Sequence, residues 1–239
     1  MSNVPPASAA LVAELVVGNR ILFHEKVVDA FGHISVRHDK DPTKFLMSRH
    51  RAPGLVAAED ILVHDLDGEP VENPQGARLY GERFIHGEIY RARPDVMAVV
   101  HCHAPQLIPF GATKAALRPL YHMSGFLGAG VPVFEIRDAA GMTDMLIRTP
   151  ALGKALAQTL GDKPMTLMRG HGATMVGASI PMVVYRSVYA ALNAALQMEA
   201  MRLGTPVFLE PEEARRAEET NNRALDRAWA LWKREATGG

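Results

Sequence analysis

The sequence contains a single cysteine, Cys102, so no disulfide can form within the chain. It also lacks an excess of either charge, because 26 Lys and Arg residues balance 26 Asp and Glu residues. Without a basic stretch to contact phosphates, a nucleic-acid partner is not expected. No apolar run is long enough to span a membrane, and the N-terminus lacks the pattern of a secretion signal. We therefore expect no membrane association and a cytoplasmic location.

The sequence patterns predict one α/β domain, because no linker or internal repeat divides the 239 residues. Short runs rich in β-branched residues predict strands. Strands and helices do not alternate strictly, so we expect a mixed or largely antiparallel sheet with helices on both sides. The spacing of apolar residues predicts the longer helices at about 8–30, 82–91, 150–160, 181–203 and 211–234.

Two histidines, His101 and His103, follow an apolar run at 96–100 that reads as a buried strand. Side chains at i and i+2 of a strand project from the same face, so Cys102 between them should point away and be inert. Histidine is a common metal ligand, and a strand holds such a pair at a fixed spacing. A pair of hydrogen-bonded structural histidines is the alternative interpretation.

A third histidine, His171, lies between Gly170 and Gly172 directly after another short apolar run. Flanking glycines allow unusual backbone angles and leave room for a ligand. Three imidazoles with an open position are typical of a catalytic metal site rather than of a closed structural one. Histidines between glycines also occur in plain turns, so the pattern alone leaves both interpretations open.

Glu82 begins the helix that precedes the histidine pair. A carboxylate at a helix N-terminus is favoured by the helix dipole alone, which is its structural interpretation. Its functional interpretation requires a position beside the metal. His86 lies four residues further along the same helix face and is expected to pack or to support the site rather than to bind metal.

With Glu82, His101-Cys-His103 and Arg169-Gly-His171-Gly in this order, the chain resembles the class II aldolase/adducin family over about residues 8–205. The resemblance implies a three-layer α/β/α sandwich around a mixed, largely antiparallel sheet. It implies one domain over 1–239, with a C-terminal helix at about 211–234 after the core. It further implies a homotetramer with the site near a subunit interface. His101, His103 and His171 would bind a divalent cation (zinc, manganese, cobalt or iron), and Glu82 would be the catalytic acid/base.

Two departures separate this chain from the sugar-phosphate aldolases of that family. Gly32-His33-Ile34-Ser35 replaces a Gly-Asn-Ile-Ser-like stretch, and Tyr80-Gly81 replaces the serine pair that holds phosphate before the glutamate. The chain is more similar to the aromatic-acid decarboxylase branch. That branch includes the hydroxy-methylpyridine-dicarboxylate and dihydroxyphthalate decarboxylases, which implies a small aromatic carboxylate as substrate.

We therefore expect a metal-dependent, non-oxidative decarboxylase of an ortho-hydroxy aromatic (di)carboxylate that acts through a metal-stabilised enolate. The alternatives are an aldolase that cleaves a sugar phosphate or a related hydroxy-ketone, and a non-catalytic, adducin-like interaction module. Tyr121 and His122 are candidates to assist proton transfer. The candidates for holding a substrate carboxylate are Arg37, Ser48, Arg49 and His50, the last three within Ser48-Arg49-His50-Arg51.

Overall fold

The computed structural model describes residues 4–73 and 76–238. Seven strands form one sheet: β1 (His33–Arg37), β2 (Lys44–Ser48), β3 (Ile61–Asp65), β4 (Ala98–Cys102), β5 (Val133–Phe134), β6 (Met165–Met168) and β7 (Gly172–Gly177). Their order across the sheet is β3-β2-β1-β4-β7-β6-β5. The β5–β6 pair is parallel, and the other neighbouring pairs are antiparallel.

The helices are α1 (Ala9–His24), α2 (Arg83–Ala92), α3 (Ile108–Ala112), α4 (Ile136–Ala140), α5 (Pro150–Leu160), α6 (Ile180–Leu203), α7 (Pro211–Asn222) and α8 (Leu225–Thr237). Side-chain oxygens of Ser8, Thr149 and Ser179 accept hydrogen bonds from the first turns of α1, α5 and α6. These caps satisfy backbone N–H groups that have no partner inside a helix, and they define where each helix begins. Within the described ranges, no helix combines the length and apolar character needed to cross a bilayer.

Successive side chains of β4 point to opposite faces of the sheet, and each face is covered by its own apolar cluster. Val100 and Cys102 belong to the apolar cluster that covers one face together with α1, α6 and α8. Val99 belongs to the cluster on the opposite face, which α2 and α5 cover. The strand is buried on both faces, which explains why its sequence is a continuous apolar run. The predicted three-layer sandwich with a mixed, largely antiparallel sheet is confirmed.

The predicted C-terminal helix at 211–234 is in fact two helices, α7 and α8, separated at residues 223–224. Buried Ala214 of α7 packs against the short 3-10 segment at 122–129, whereas buried Trp232 of α8 belongs to the core beside α1 and α6. One straight helix could not reach both surfaces, so tertiary packing separates the two. The first helix is also shorter than predicted, because Lys26 adopts a left-handed φ of 60° just after His24.

Candidate metal centre

The centre of the sheet supplies the first two histidines. His101 lies on β4, paired with His33 of β1 on one side and with Thr174 of β7 on the other. His103 follows the last residue of β4. Cys102 is buried on the opposite face, as strand alternation predicts, and its burial raises the pKa of the thiol to about 11. A thiol in this state is a weak nucleophile, so Cys102 is part of the core.

His171 lies in the tight turn between β6 and β7. Gly170 has a left-handed φ of 61°, and the His171 N–H donates to the Met168 carbonyl over 3.0 Å. A Cβ at Gly172 would lie 2.1 Å from the Cys102 carbonyl oxygen, so only glycine lets the start of β7 approach β4 this closely. This close approach brings the turn, with His171, up to the end of β4.

The three imidazoles meet beside the carboxylate of Glu82. The Nε2 atom of His103 is 3.0 Å from Nε2 of His101 and 3.1 Å from Nε2 of His171. Glu82 Oε2 is 3.4 Å from His101 Nε2 and 3.6 Å from His171 Nε2. One potential ligand atom from each residue lies within 4.8 Å of all the others. We call Glu82, His101, His103 and His171 the histidine–glutamate cluster.

This donor set fits a divalent cation. The Nε2 atom of His103 has two imidazole nitrogens as neighbours, and a neutral imidazole can pair Nε2 with only one of them, as donor or as acceptor. Converging lone pairs repel one another unless a cation accepts them. Ligand atoms about 2.0–2.1 Å from one ion would lie about 3 Å apart, which matches the observed nitrogen separations. Metal binding by these residues stays a prediction that the geometry supports.

The protonation states suit such an ion. Burial opposes ionisation of Glu82, but His101, His171 and the Ile147 amide outweigh it and hold the pKa of this carboxyl at about 2. Burial, together with His101 and His171, lowers the pKa of His103 to about 4, and burial also lowers the pKa of His171. At neutral pH the carboxylate is therefore charged and these two imidazoles are neutral, which is the form that binds metal.

Glu82 is held by tertiary contacts rather than by the helix that it precedes. Its side chain makes no capping bond to α2 among the described residues. Instead, Oε1 accepts a hydrogen bond from the Ile147 N–H over 2.9 Å. The carboxylate is thus directed toward the histidines, and the helix-dipole interpretation of Glu82 does not account for its orientation.

Comparison with known proteins agrees with this geometry. The family described as Class II Aldolase and Adducin N-terminal domain matches residues 13–198. This chain belongs to the class II aldolase/adducin family. Within it, the chain is 41% identical to the decarboxylase tropJ of Talaromyces stipitatus, over 98% of this chain and 97% of that protein. It is 30% identical to the 3,4-dihydroxyphthalate decarboxylase of Arthrobacter keyseri, over 77% of this chain and 76% of that protein.

Solved structures of class II aldolase-like proteins have the same fold. An aldolase II superfamily protein from Pseudomonas syringae superposes with a TM-score of 0.80 at 23% identity, over 98% of this chain and 94% of that one. At this identity the likeness extends to the fold alone. The resemblance to the class II aldolase/adducin family expected from the sequence is confirmed.

A cavity of about 640 Å³ opens in front of the histidine–glutamate cluster. Glu82 and His103 form part of its wall, and His33 and Tyr80 line it beside them. Its volume is in the range of sites that hold small organic ligands. We call it the cluster cavity.

Of the four predicted carboxylate-binding residues, one lines this cavity and three do not. His50 lines it. Arg49 is turned toward Asp60, with Nε 2.6 Å from Oδ1. Ser48 is buried at the end of β2, and Arg37 donates its guanidinium hydrogen bonds to the carbonyls of Pro42, Tyr90, Arg93 and Val96. The structure therefore gives Arg37 a role in holding the fold and removes it from the candidate site.

Three arginines that do line the cluster cavity are Arg51, Arg78 and Arg148. Arg51 pairs with Asp60 at 3.1 Å, and Arg148 pairs with Asp144 at 2.8 Å. The guanidinium of Arg78 has no hydrogen bond or ion pair with any residue that the structure describes. No local sequence pattern indicates Arg78 or Arg148, because these loop residues meet at one cavity only in the tertiary structure.

Tyr121 and His122 lie away from the histidine–glutamate cluster. His122 lines a different cavity of about 460 Å³, together with Tyr185, Tyr189 and Trp232. The rings of Tyr121 and Tyr189 are 6.5 Å apart. Neither predicted proton-transfer residue contributes to the candidate site of its own chain, because the 3-10 segment that begins at His122 packs against α6 and α7.

Proposed function

We propose that this protein is a metal-dependent, non-oxidative decarboxylase of an ortho-hydroxy aromatic mono- or dicarboxylate. The observation that carries the proposal is the opening of the histidine–glutamate cluster into a cavity with cationic walls. Relatives that match most of this chain are named decarboxylases, including 3,4-dihydroxyphthalate decarboxylase. Their names support the reaction type, and the geometry supports the substrate class.

His101, His103 and His171 would hold a divalent cation, with zinc, manganese, cobalt and iron all compatible with a nitrogen-rich donor set. When bound, the cation would act as a Lewis acid that stabilises negative charge on the ring oxygen of the substrate. The protein contributes the fixed orientation of the three imidazoles, which comes from β4 and from the glycine-flanked turn before β7.

Glu82 would move the proton. As a carboxylate it accepts the proton of the ring hydroxyl, and it then delivers this proton to the ring carbon that bears the carboxylate. The bond between that carbon and the carboxyl carbon breaks, its electron pair returns to the ring and its oxygen, and CO₂ leaves. The ring oxygen finally takes one proton from solvent. The net reaction consumes one proton and replaces the carboxylate by hydrogen.

The arginines of the cluster cavity would bind a second carboxylate of the substrate. Guanidinium groups bind carboxylates through charge-assisted, often bidentate, hydrogen bonds. Arg78 is the strongest candidate, because Arg51 and Arg148 already have carboxylate partners, whereas Arg78 has none within the described part of the chain.

The direct test is turnover by the purified protein, stripped of metal and then loaded separately with zinc, manganese, cobalt or iron. CO₂ release from 3,4-dihydroxyphthalate and other hydroxyphthalates is the readout, and hydroxyphthalates without an ortho hydroxyl are the control substrates. We expect CO₂ only from ortho-hydroxy substrates and only with metal. Equal turnover without metal, or no turnover of any ortho-hydroxy carboxylate with any of the four ions, would refute the proposal.

An aldolase is the main alternative, and the cluster cavity argues against a sugar phosphate. Tyr80 takes the place of a small polar residue before Glu82, and its hydroxyl donates to the Arg51 carbonyl. Its ring is also 4.7 Å from that of His33, so both altered positions meet as aromatic groups in the cavity. Dihydroxyacetone phosphate formation from sugar phosphates, assayed beside CO₂ release, separates the two activities.

A non-catalytic, adducin-like module is the second alternative. Such a module would not require four potential metal ligands within 4.8 Å of one another at the wall of a cavity. A purified protein that binds none of the four ions would favour this alternative.

A homotetramer with the site near a subunit interface remains part of the proposal. Tyr121 and His122 lie away from the cluster of their own chain, so either could act only on the site of a neighbouring copy. Light scattering gives the assembly state. If the protein is a monomer, mutation of either residue to alanine should leave turnover unchanged.

A further inference from the structure

A buried chain of hydrogen bonds connects the core beneath the sheet to the cluster cavity. The Tyr90 hydroxyl is 2.8 Å from Ser35 Oγ, and Ser35 Oγ is 2.6 Å from His86 Nδ1. His86 Nε2 is in turn 2.7 Å from Nδ1 of His33. All four residues are buried, with at most 4% of any residue's surface exposed. The chain ends at His33, the one member that lines the cavity.

The direction of these hydrogen bonds follows from counting donors and acceptors. The Tyr90 hydroxyl interacts with Ser35 Oγ and with the backbone N–H of Val99, and that N–H can only donate, so the buried O–H of Tyr90 donates to Ser35. Ser35 has one proton, which it must donate to His86 Nδ1. His86 then carries its proton on Nε2 and donates it to His33 Nδ1. His33 is thereby held as the tautomer with its proton on Nε2.

The remaining N–H of His33 is on the side of the ring that faces away from His86. Gly32, with a left-handed φ of 91°, precedes it, and a Cβ there would lie 3.0 Å from the His101 carbonyl oxygen. This close pairing of β1 with β4 sets the His33 ring 5.1 Å from the ring of His101 and 4.7 Å from that of Tyr80. His33 thus lies at the inner wall of the cavity, beside the histidine–glutamate cluster.

From this arrangement we infer that His33 is a substrate-binding residue that donates an Nε2–H hydrogen bond to the carboxylate that leaves as CO₂. His86, Ser35 and Tyr90 are positioning residues that hold its tautomer. The inference rests on the proposed function, because it assigns a role in that reaction.

A neutral donor suits this step better than a cation. The carboxylate loses its negative charge as it becomes CO₂. Any group that binds the charged carboxylate strongly must therefore lose that interaction in the transition state. An arginine at this position would stabilise the ground state more than the transition state. A neutral imidazole can orient the carboxylate with a smaller penalty.

Two substitutions separate this role from simple packing. The amide nitrogen of glutamine can replace an imidazole Nε2–H, whereas the shorter asparagine reaches only as far as Nδ1. We expect His33→Gln to keep KM within about threefold and His33→Asn to raise KM about 10- to 100-fold, the range for a hydrogen bond to a charged group that is lost from the bound substrate. If the contact with His86 were the only role of His33, asparagine would be the better replacement.

The tautomer provides a readout that does not depend on turnover. In zinc-loaded protein with ¹⁵N-labelled histidine, the side-chain nitrogen shifts of His33, assigned by difference from His33→Gln, should report a proton on Nε2. Tyr90→Phe and Ser35→Ala should each mix the tautomers and lower kcat/KM severalfold. His64→Gln changes a buried histidine that is not part of this series of hydrogen bonds. It should leave the nitrogen shifts of His33 and kcat/KM unchanged.

The outcomes separate this inference from the proposed function. If no ortho-hydroxy carboxylate is turned over, the proposed function fails whatever the tautomer is. If the wild-type protein releases CO₂ but His33→Asn is as active as His33→Gln, the role of His33 is wrong and the decarboxylase proposal stands. A proton on Nδ1 of His33 in the wild-type protein would also overturn the inference.

Discussion

His103 and His171 lie 68 positions apart in the chain, and their Nε2 atoms are 3.1 Å apart. This contact depends on the pairing of β4 with β7, which aligns Cys102 with Ala173. It also depends on Gly172, where any side chain would collide with the Cys102 carbonyl. The fold thus holds the two nitrogens within reach of one cation.

Loss of one imidazole should remove the metal and the activity together. We expect His103→Ala to retain less than about a tenth of the bound metal of the wild-type protein, because catalytic sites of this type have only three protein nitrogens. Metal content after dialysis is the measurement. His122→Ala is the matched control, since His122 lines the other cavity, and it should keep its metal. Full metal occupancy in His103→Ala would contradict the ligand assignment.

Glu82 should be required for turnover but not for metal retention. Glu82→Gln keeps the shape of the side chain and removes its basicity, so we expect kcat to fall about 10²- to 10⁴-fold, the usual contribution of a positioned acid/base. Metal content should stay near that of the wild-type protein. Glu88→Gln alters another buried carboxylate of the same region and is the control. An active Glu82→Gln protein would disprove the proton-transfer role.

Arg78 should determine whether a second carboxylate is recognised. We expect Arg78→Met to raise KM for a hydroxyphthalate about tenfold or more, because a hydrogen-bonded guanidinium–carboxylate pair is lost. KM for the matching monocarboxylate should change little. Arg91→Met is the control, since Arg91 pairs with Asp67 and lies outside the cavity lining. Equal effects on both substrates would show that Arg78 does not bind the second carboxylate.

His64 should make the protein less stable in acid. Its side chain is buried against Phe45, and burial lowers its pKa from 6.5 to about 4. Below pH 6.5 the unfolded chain therefore binds a proton that the folded protein does not, so the free energy of unfolding falls as pH drops from about 6.5 to 4. The contribution of this residue to that fall is about 2–3 kcal/mol.

Urea denaturation at a series of pH values measures this effect. His64→Gln removes the titrating group, so its free energy of unfolding should fall less steeply over the same interval. The comparison between the two proteins isolates His64 from other groups that titrate in this range. Parallel pH profiles for the two proteins would show that His64 does not contribute.

Several features of the candidate site were predictable because they depend on local geometry. Strand alternation placed Cys102 on the face opposite His101, and the glycines around His171 indicated an unusual turn. The sequence also showed directly that Glu82, His101 and His103 carry side chains that can bind a metal. Their convergence could be inferred only through the family resemblance, because distances between remote segments depend on strand pairing.

The substrate side of the site was less predictable. Arg37, Arg49 and Arg78 carry the same charge in the sequence, yet their surroundings differ completely in the structure. The guanidinium of Arg37 donates hydrogen bonds to backbone carbonyls, and that of Arg49 forms an ion pair with Asp60. Arg78, in contrast, lines the cluster cavity. Similarly, Tyr121 and His122 proved remote from the cluster, because the segment that contains them packs against α6 and α7.

By itself, the sequence determined the chemistry available to this protein: the imidazole and carboxylate donors, the alternation that separates His101 from Cys102, and the glycines that permit a tight turn. These properties are local, since they follow from side-chain type and from the period of two along a strand. Only the tertiary structure decided which cations border the cavity and which hydrogen-bond partner His33 has. Both depend on hydrogen bonds and contacts between residues that are distant in the chain, and no local pattern encodes them.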